Sequence, residues 1–196
     1  MRSSRRNWDS RIAMQVELAE AAELIRAGCI VLHATEGVWG LACDPFQEQA
    51  VTRILALKGR PVDKGLIVIG GSVTQFEPEL AGLTAAQRKA VADTWPGPVT
   101  WLLPNQRFPR WITGVHATVA ARVSGHPQAR ALCDAAGTVL VSTSANPAGS
   151  PPAETQEQAL AYFAGEVDGL LPGSVQTPGV PSSIRDLAGH WQRGKG

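Results

Sequence analysis

Cationic side chains cluster between residues 56 and 69, where an apolar helical pattern gives way to a short apolar run. Lys58 and Arg60 stand two positions apart at the end of the helical pattern, Pro61 ends the helix, and Lys64 follows. Cations held at the junction of rigid elements bind phosphate or carboxylate groups. Alternatively, these residues only complement the negative end of the helix dipole. This stretch alone leaves both interpretations open.

Three polar loops each follow an apolar segment that we predict to be a buried strand. They are Thr35-Glu36, Ser142-Thr-Ser-Ala-Asn146 and Ser182-Ser183. In open α/β sheets ligands bind at the carboxyl ends of the strands, so runs that share one edge would meet Lys58 and Arg60 there. Hydroxyl and amide groups bind polar ligands, but turns and helix caps use the same residue types. We favour ligand binding for the run at 142–146 and a turn for Ser182-Ser183.

Arg122 lies inside an apolar strand pattern, Val119-Ala-Ala-Arg-Val123. A buried arginine in such a setting must be paired. The partner is either a carboxylate of the protein, which is the commoner case, or a substrate carboxylate bound through two parallel hydrogen bonds. The sequence leaves both partners open.

Several familiar motifs are missing from the sequence. It contains no Walker A motif, no GxGxxG fingerprint and no GxSxG elbow, so the residues do not indicate a P-loop, a dinucleotide site or a serine hydrolase. The histidines have no metal-ligand spacing, and we interpret them as structural or surface residues, with no protein metal site predicted. Four of the six tryptophans are interpreted as core or pocket wall. These residues are His33, His116, His126 and His190, and Trp39, Trp95, Trp101 and Trp111.

Composition indicates one globular domain. Of the 196 residues 44% are hydrophobic, enough for a sizeable core, and the net charge of +1 does not indicate nucleic-acid binding by the molecule as a whole. Arginines crowd the N-terminus, so we predict a basic, mobile arm over residues 1–14 and a domain over 15–196. The three cysteines, without a CxxC pair, fit a reducing, cytoplasmic setting. No apolar run is long enough for a membrane helix, and no export signal is evident.

The periodicity of apolar residues predicts helices and strands that alternate, as in a layered α/β domain. A loop is expected over residues 34–40, and irregular structure over 104–114. We predict helices over 15–27, 47–58, 127–136 and 155–164, two short helices within 73–95, and strands over 29–33, 66–69, 99–103, 118–123, 139–141 and 170–171.

Five motifs in one order resemble the YrdC-domain family, and within it the short bacterial threonylcarbamoyl-AMP synthases. The resemblance extends from about residue 15 to the end of the sequence. It implies an α/β (α+β) fold: a single domain with a twisted, open, mixed sheet and helices packed on it around a positively charged cavity. The motifs are Lys58-Gly-Arg60-Pro61, Trp95-Pro-Gly-Pro-Val-Thr100, Val119-Ala-Ala-Arg-Val123, His126-Pro127 and Ser142-Thr-Ser-Ala-Asn146.

The resemblance also implies a reaction. L-threonine, bicarbonate and ATP would give threonylcarbamoyl-adenylate and pyrophosphate, with Mg2+ accompanying ATP and no organic cofactor. The adenylate would supply a downstream transferase machinery that modifies adenosine 37 of tRNAs reading codons that begin with A, and tRNA itself is a further candidate partner. Such a transfer depends on positioning and charge neutralisation more than on a covalent nucleophile.

Carried over residue by residue, the resemblance assigns the nucleotide end of the site. Lys58 and Arg60 would hold the phosphates, and Ser144 and Asn146 would complete the catalytic set. Two further residues would contact the nucleotide: Thr118, beside that set, and Arg193, in the closing Gln-Arg-Gly.

The resemblance assigns the residues that would bind threonine in the same way. Arg122 would bind the carboxylate of threonine, Ser142 and Ser182 would contact the amino acid, and Thr35 would line the same cavity. The family usually has Thr or Ala where this sequence has Gly37, so one side-chain contact with threonine is expected to be missing. Ile69 stands where many members have His, a departure that the short branch shares.

Two functional hypotheses follow. The first is the enzyme just described. The second is a binding module without chemistry, in which a basic concave face holds double-stranded or otherwise structured RNA. The hydroxyl-rich run at 142–146 distinguishes them, because an electrostatic RNA binder does not need it. Placement of that run beside Lys58 would favour the enzyme.

Overall fold

The computed structural model describes residues 14–194, so all but the last residue of the predicted N-terminal arm lies outside the described part. Within that range nine strands form one open sheet with helices on both faces. The strands are β1 (Val31–Ala34), β2 (Trp39–Cys43), β3 (Ile67–Gly70), β4 (Val99–Pro104), β5 (Thr118–Val123), β6 (Leu140–Ser144), β7 (Gly169–Leu170), β8 (Ser183–Asp186) and β9 (Trp191–Arg193). The helices are α1 (Leu18–Arg26), α2 (Glu48–Lys58), α3 (Glu77–Leu80), α4 (Ala85–Ala92), α5 (Arg110–Thr113), α6 (Pro127–Ala136) and α7 (Gln156–Phe163), with 3-10 turns at Val62–Lys64 and Val73–Phe76.

The sheet is mixed, as predicted. Its strand order is β7-β1-β2-β6-β3-β5-β4-β8-β9. Parallel pairs join β1 to β7, β3 to β5 and β4 to β8, and the other neighbours are antiparallel. Strands from both ends of the sequence therefore flank a central group that contains β6, β3 and β5.

One face of the sheet is covered by α1 and α6. Small apolar residues such as Ala22 and Ala129 let these two helices approach each other and the sheet, and they pack with Ile69 and Leu140. α6 begins where the sequence predicts: Pro127 occupies its first turn, and the ring of His126 accepts a hydrogen bond from the N–H of Ala129. Leu132, Cys133 and Ala136 complete its buried stripe.

The other face carries the larger core. α2 contributes a buried stripe that includes Val51 and Ile54, and α7 contributes Phe163. Trp39 and Trp101 are almost fully buried here, which confirms their predicted place in the core. α2 ends at Gly59, whose left-handed backbone (φ 58°) lets the chain leave the helix and turn toward Arg60.

Three predicted loops are wrong in part. The predicted loop at 34–40 is a tight turn followed by β2, a strand that the sequence analysis missed because Trp39-Gly-Leu-Ala-Cys43 has no β-branched residue. Ser142 and Ser144 lie within β6 rather than in a loop after it. Residues 110–113 form the short helix α5, although 104–114 was expected to be irregular.

Candidate functional site

A cavity of about 940 Å³ lies over the sheet face that also carries α6. Five cationic and two acidic side chains contribute to its wall, so positive charge predominates there. The cations are Lys58, Arg60, Lys64, Arg122 and Arg193, and the acids are Glu36 and Glu154. Its hydroxyl and amide groups include those of Thr35, Ser142, Thr143, Ser144, Asn146, Thr177 and Ser182.

Strand alternation explains why polar side chains line this cavity. Side chains two apart on a strand share a face, so Ser142 and Ser144 follow Leu140 on the same face of β6. Leu140 packs in the cluster formed with α1 and α6, whereas Ser142 and Ser144 line the cavity. The cavity therefore lies on the face of the sheet. Thr35-Glu36 and the end of the run at 142–146 do share one sheet edge, because β1 and β6 both pair antiparallel with β2 and so end on the same side. Ser182 departs from the expected arrangement, because it precedes β8 instead of following a strand.

Lys58 ties the end of α2 to the end of β6. Its side chain is buried, and its ammonium donates to the backbone carbonyl of Ser144 and, at 2.7 Å, to that of Asn146. A longer contact of 3.3 Å reaches Oδ1 of Asn146, which also accepts from the Ser144 hydroxyl at 2.6 Å. Burial, and then the charge of Arg60, lower the pKa of Lys58 to about 8.

Two arginines are held at the cavity by backbone carbonyls. Arg60 donates from Nε and Nη2 to the carbonyl of Gly65, at 3.2 and 2.8 Å. Arg193 donates from the same two atoms to the carbonyl of Ser182, at 3.1 and 2.8 Å, and from Nη2 to its hydroxyl. Neither forms a salt bridge with a described carboxylate, so their positive charge remains available to an anionic ligand.

Arg122 is paired, and its partner is Glu36, a residue of the Thr35-Glu36 run whose pairing with Arg122 the sequence did not identify. Nη1 of Arg122 lies 2.7 Å from Oε1 of Glu36, and both side chains are buried. Burial by itself would raise the pKa of the Glu36 carboxyl, but the charge of Arg122 and backbone N–H donors outweigh it and lower that pKa. The glutamate is therefore an anion in the folded protein.

A buried histidine lies next to the side chain of Ser142. His33 is fully buried on β1, and its Nε2 lies 3.5 Å from the hydroxyl oxygen of Ser142. The ring crosses over Gly40, where an added Cβ would come within 3.2 Å of that nitrogen. Burial, and then the charge of His126, lower the pKa of His33 to about 4, so the ring is neutral at physiological pH.

Residues 173–182, which we call the strap, form one wall of the cavity. The N–H groups of Gln176 and Thr177 donate to the carbonyl of Glu36, and the N–H of Gly179 donates to that of Gly37. A Cβ on Gly37 would lie 1.8 Å from the carbonyl oxygen of Val180. The side chain that the sequence lacks at position 37 therefore leaves space that the strap occupies.

Nearly all of the sequence-predicted residues line this one cavity. Thr118 is the exception: it begins β5, on the same face as Arg122 but four residues earlier, which places it about 13 Å along the strand. The residues in the wall are Thr35, Lys58, Arg60, Arg122, Ser142, Ser144, Asn146, Ser182 and Arg193. The pairing of Glu36 with Arg122 and the position of the strap could not be found from sequence, because these contacts join segments far apart in the chain.

Among residues 14–194 no three His, Cys, Asp or Glu side chains are grouped closely enough to hold a metal ion. The two cavity carboxylates do not form such a group, and that of Glu36 is already engaged by Arg122. No helix in this range is both long enough and apolar enough to cross a membrane.

Comparison with known proteins agrees with this geometry. The Sua5/YciO/YrdC family model, described as "Telomere recombination", matches residues 23–193. A protein of Pseudomonas savastanoi pv. phaseolicola is 50% identical over 170 residues, covering 86% of this chain and 91% of its own, and is named threonylcarbamoyl-AMP synthase. A protein of Cellvibrio japonicus with the same name is 49% identical over 168 residues, covering 85% and 89%.

Solved structures show the same fold. P. abyssi Sua5 complexed with L-threonine matches with a TM-score of 0.82 and 32% identity over 90% of this chain. This chain spans about half of that longer protein, 54% of its length. E. coli YciO matches with a TM-score of 0.76 over 93% of this chain and 96% of its own, and at 20% identity it supports the fold alone.

Proposed function

Since the chain belongs to the Sua5/YciO/YrdC family, we propose that it is an L-threonylcarbamoyladenylate synthase. The observation that carries the proposal is the contact of Lys58 with Ser144 and Asn146 in a cavity rich in cations. A nucleotide and an amino acid can lie side by side there. Relatives at about 50% identity, named for this activity, support the same assignment.

The chemistry has two steps. The amine of L-threonine combines with bicarbonate to give a carbamate and water. A carbamate oxygen then attacks the α-phosphorus of ATP, the bond from that phosphorus to the bridging oxygen breaks, and pyrophosphate leaves with the electron pair. Because the carbamate is already anionic, the second step needs alignment and charge neutralisation rather than a strong base.

The nucleotide occupies the more cationic end of the cavity. Arg60 and Arg193 contact the phosphates with the guanidinium nitrogens that backbone carbonyls leave free. Lys58 contributes its charge and fixes Ser144 and Asn146, whose side chains complete the site. Mg2+ arrives as part of the MgATP substrate, held by the phosphates, and no step is assigned to a metal site of the protein. Thr118 contacts the nucleotide only if the base extends along β5.

The amino acid occupies the end near the strap. Arg122 binds the carboxylate of L-threonine, and Ser142, Ser182 and Thr35 contact the rest of the molecule. Its amine then faces the nucleotide end, where the carbamate must form and react. The structure of P. abyssi Sua5 complexed with L-threonine supports an amino-acid site in this fold.

The adenylate then supplies the group that a transferase machinery attaches to adenosine 37 of tRNAs that read codons beginning with A. ATP and tRNA are both cytoplasmic, so we place the reaction in the cytoplasm. The proposal includes two partners of the protein: the transferase machinery that receives the adenylate, and tRNA, which the protein contacts directly.

The assay is pyrophosphate release with each substrate omitted in turn, and mass spectrometry to identify the adenylate. The expected result is release that requires ATP, L-threonine and bicarbonate together. A protein that binds ATP yet yields neither pyrophosphate nor adenylate with all three present contradicts the proposal.

The alternative of a non-catalytic RNA-binding module is less well supported. It would not require serines and an asparagine beside Lys58, where they line the cavity. RNA affinity that falls steeply with salt, with no pyrophosphate release under any condition, would favour that alternative.

A further inference from the structure

The side chain of Glu36 contacts Arg122 in the cavity wall and two residues of the loop that follows β5. Its Oε1 lies 2.7 Å from Nη1 of Arg122 and accepts from the N–H of Gly125 at 2.6 Å. Its Oε2 accepts from the hydroxyl of Ser124 at 3.1 Å. Donors from the end of β5 and from the loop that leads into α6 therefore fix both carboxylate oxygens.

The backbone of the same residue holds the strap. The carbonyl of Glu36 accepts from the N–H of Gln176 at 2.9 Å, and from the N–H and hydroxyl of Thr177 at 2.8 and 3.2 Å. The position of Arg122 and that of the strap are thus set by one residue of the β1–β2 turn.

Arg122 is left with unused hydrogen-bond donors. The arginine is 7% exposed, and its Nε is buried without a partner among the described residues. Nη1 is the nitrogen that meets Glu36. A buried guanidinium donor without an acceptor costs free energy, and a carboxylate is the ligand whose two oxygens match a guanidinium edge.

Arg122 also differs from the other cations of the cavity. Within residues 14–194 it is the one that forms a salt bridge, whereas Lys58, Arg60, Lys64 and Arg193 have none. A cation already paired with an anion attracts phosphate less strongly, but it can still bind a carboxylate through fixed hydrogen bonds. The cavity therefore has an end with a paired cation, which suits the amino acid, and an end with unpaired cations, which suits the nucleotide.

We propose that Glu36 is a positioning residue for substrate binding: it holds Arg122 so that the remaining guanidinium N–H groups meet the α-carboxylate of the amino acid. This inference rests on the proposed function, because it takes the amino-acid site as given. Glu36 acts through Arg122 and does not touch the substrate. The site requires the length of the Glu36 side chain, which brings an acceptor oxygen to Arg122, rather than its negative charge.

Two conservative substitutions separate reach from charge. Glu36→Gln keeps the length of the side chain, so its amide oxygen still accepts from Arg122 and Gly125, but it removes the charge. Glu36→Asp keeps the charge but withdraws the carboxylate from Arg122 by one methylene. Calorimetry measures the Kd of each variant for L-threonine, for L-threoninol, which lacks the carboxylate, and for ATP.

We expect Glu36→Asp to raise the Kd for L-threonine about tenfold or more, and Glu36→Gln to change it less than about threefold. The Kd for ATP should change less than about twofold in both. The weaker binding of L-threoninol should be the same in the wild type and both variants, because it offers no carboxylate to Arg122.

The matched control is Glu79, a second buried glutamate, which pairs with Arg107 at 3.2 Å outside the cavity. Glu79→Asp and Glu79→Gln should leave the Kd for L-threonine unchanged. Equal binding of L-threonine by Glu36→Asp and wild type, or a loss in Glu36→Gln as large as that in Glu36→Asp, overturns the inference. A wild-type protein that binds no L-threonine, with or without ATP, overturns the proposed function itself.

Discussion

The ammonium nitrogen of Lys58 lies 2.7 Å from the carbonyl oxygen of Asn146, so the last turn of α2 is tied to the segment that follows β6. The carbonyl of Ser144 and Oδ1 of Asn146 are its other acceptors. An ammonium has three protons, so the free protein already provides an acceptor for each of them. A phosphate entering the cavity therefore meets a cation whose position is fixed in advance.

Removing Lys58 should impair both ATP binding and the order of residues 144–146. Lys58→Met loses a buried charge that no other side chain replaces, so we expect a loss in kcat/KM equivalent to about 2–5 kcal/mol. Amide hydrogen exchange of Ala145 and Asn146 should accelerate. Arg60→Met should impair kcat/KM comparably without that change in exchange, because Arg60 is tied to Gly65 instead.

Arg53→Met is the matched control on the same helix, because Arg53 is half-exposed and pairs with Asp168 outside the cavity. It should leave kcat/KM and the exchange rates unchanged. Wild-type turnover in Lys58→Met and Arg60→Met together would remove both residues from the mechanism.

ATP affinity should fall as pH rises through about 8. Burial and Arg60 lower the pKa of Lys58 from 10.5 to about 8, so the free protein loses this charge in that range. Bound phosphates favour the charged form, and binding above pH 8 should therefore take up protons. Calorimetry in buffers of different ionisation enthalpy measures that uptake, and Lys58→Met should abolish it.

The lowered pKa of Lys58 affects folding stability in the opposite direction from ATP affinity. Between pH 8 and 10.5 the unfolded chain holds a proton at Lys58 that the folded chain has lost, so the contribution of this residue to the free energy of unfolding rises with pH.

If proton uptake on ATP binding were identical in wild type and Lys58→Met, a group other than Lys58 would be titrating.

The buried ring of His33 should make the protein sensitive to mild acid. Its pKa is lowered from 6.5 to about 4, so the unfolded chain binds a proton that the folded chain does not accept in that range. The free energy of unfolding should fall by up to about 3 kcal/mol as pH drops from 6.5 to 4. Urea unfolding of wild type and His33→Phe at several pH values measures this loss, which the variant should lack.

Exposed His116 provides the comparison, because His116→Phe should retain the wild-type dependence on pH. A slope that is equally steep in His33→Phe and wild type would assign the acid sensitivity to other groups.

A side chain at position 37 should displace the strap. The Cβ of Gly37→Ala would lie 1.8 Å from the carbonyl oxygen of Val180, so the backbone of the strap must move. We expect faster hydrogen exchange at Thr177 and Gly179, and a Kd for L-threonine raised by about three- to tenfold. Gly82→Ala is the control, because an added Cβ there meets nothing within 4 Å. Unchanged exchange in Gly37→Ala would mean that the strap does not depend on this close contact.

Local signals in the sequence predicted much of the fold. α6 and β5 have the predicted bounds, because Pro127 and the apolar alternation around Arg122 act over short distances. β2 was missed, since it has no β-branched residue and includes Gly40 and Ala42, which are depleted in strands, and since its burial comes from neighbouring strands on both sides. The sequence also indicated the association of Lys58 with the run at 142–146, which the structure confirms.

The rest of the site depends on contacts between segments distant in sequence. The pairing of Arg122 with Glu36 was one of two alternatives that the sequence left open, and nothing local to either residue identifies the other. The strap carries no periodic pattern, and its place over Gly37 follows from hydrogen bonds made by its backbone. These contacts are tertiary, so propensity and periodicity do not reveal them.

The position of Arg193 on β9 has a consequence for the order in which the protein matures. Among the described strands β9 pairs with β8 alone, and β8 joins the sheet through β4. The ribosome makes this hairpin after every other described strand and helix, so a nascent chain can bury its core while the nucleotide cavity still lacks one cation. A ligand contact with Arg193 can therefore stabilise the folded protein, but it contributes nothing to the early collapse of the chain.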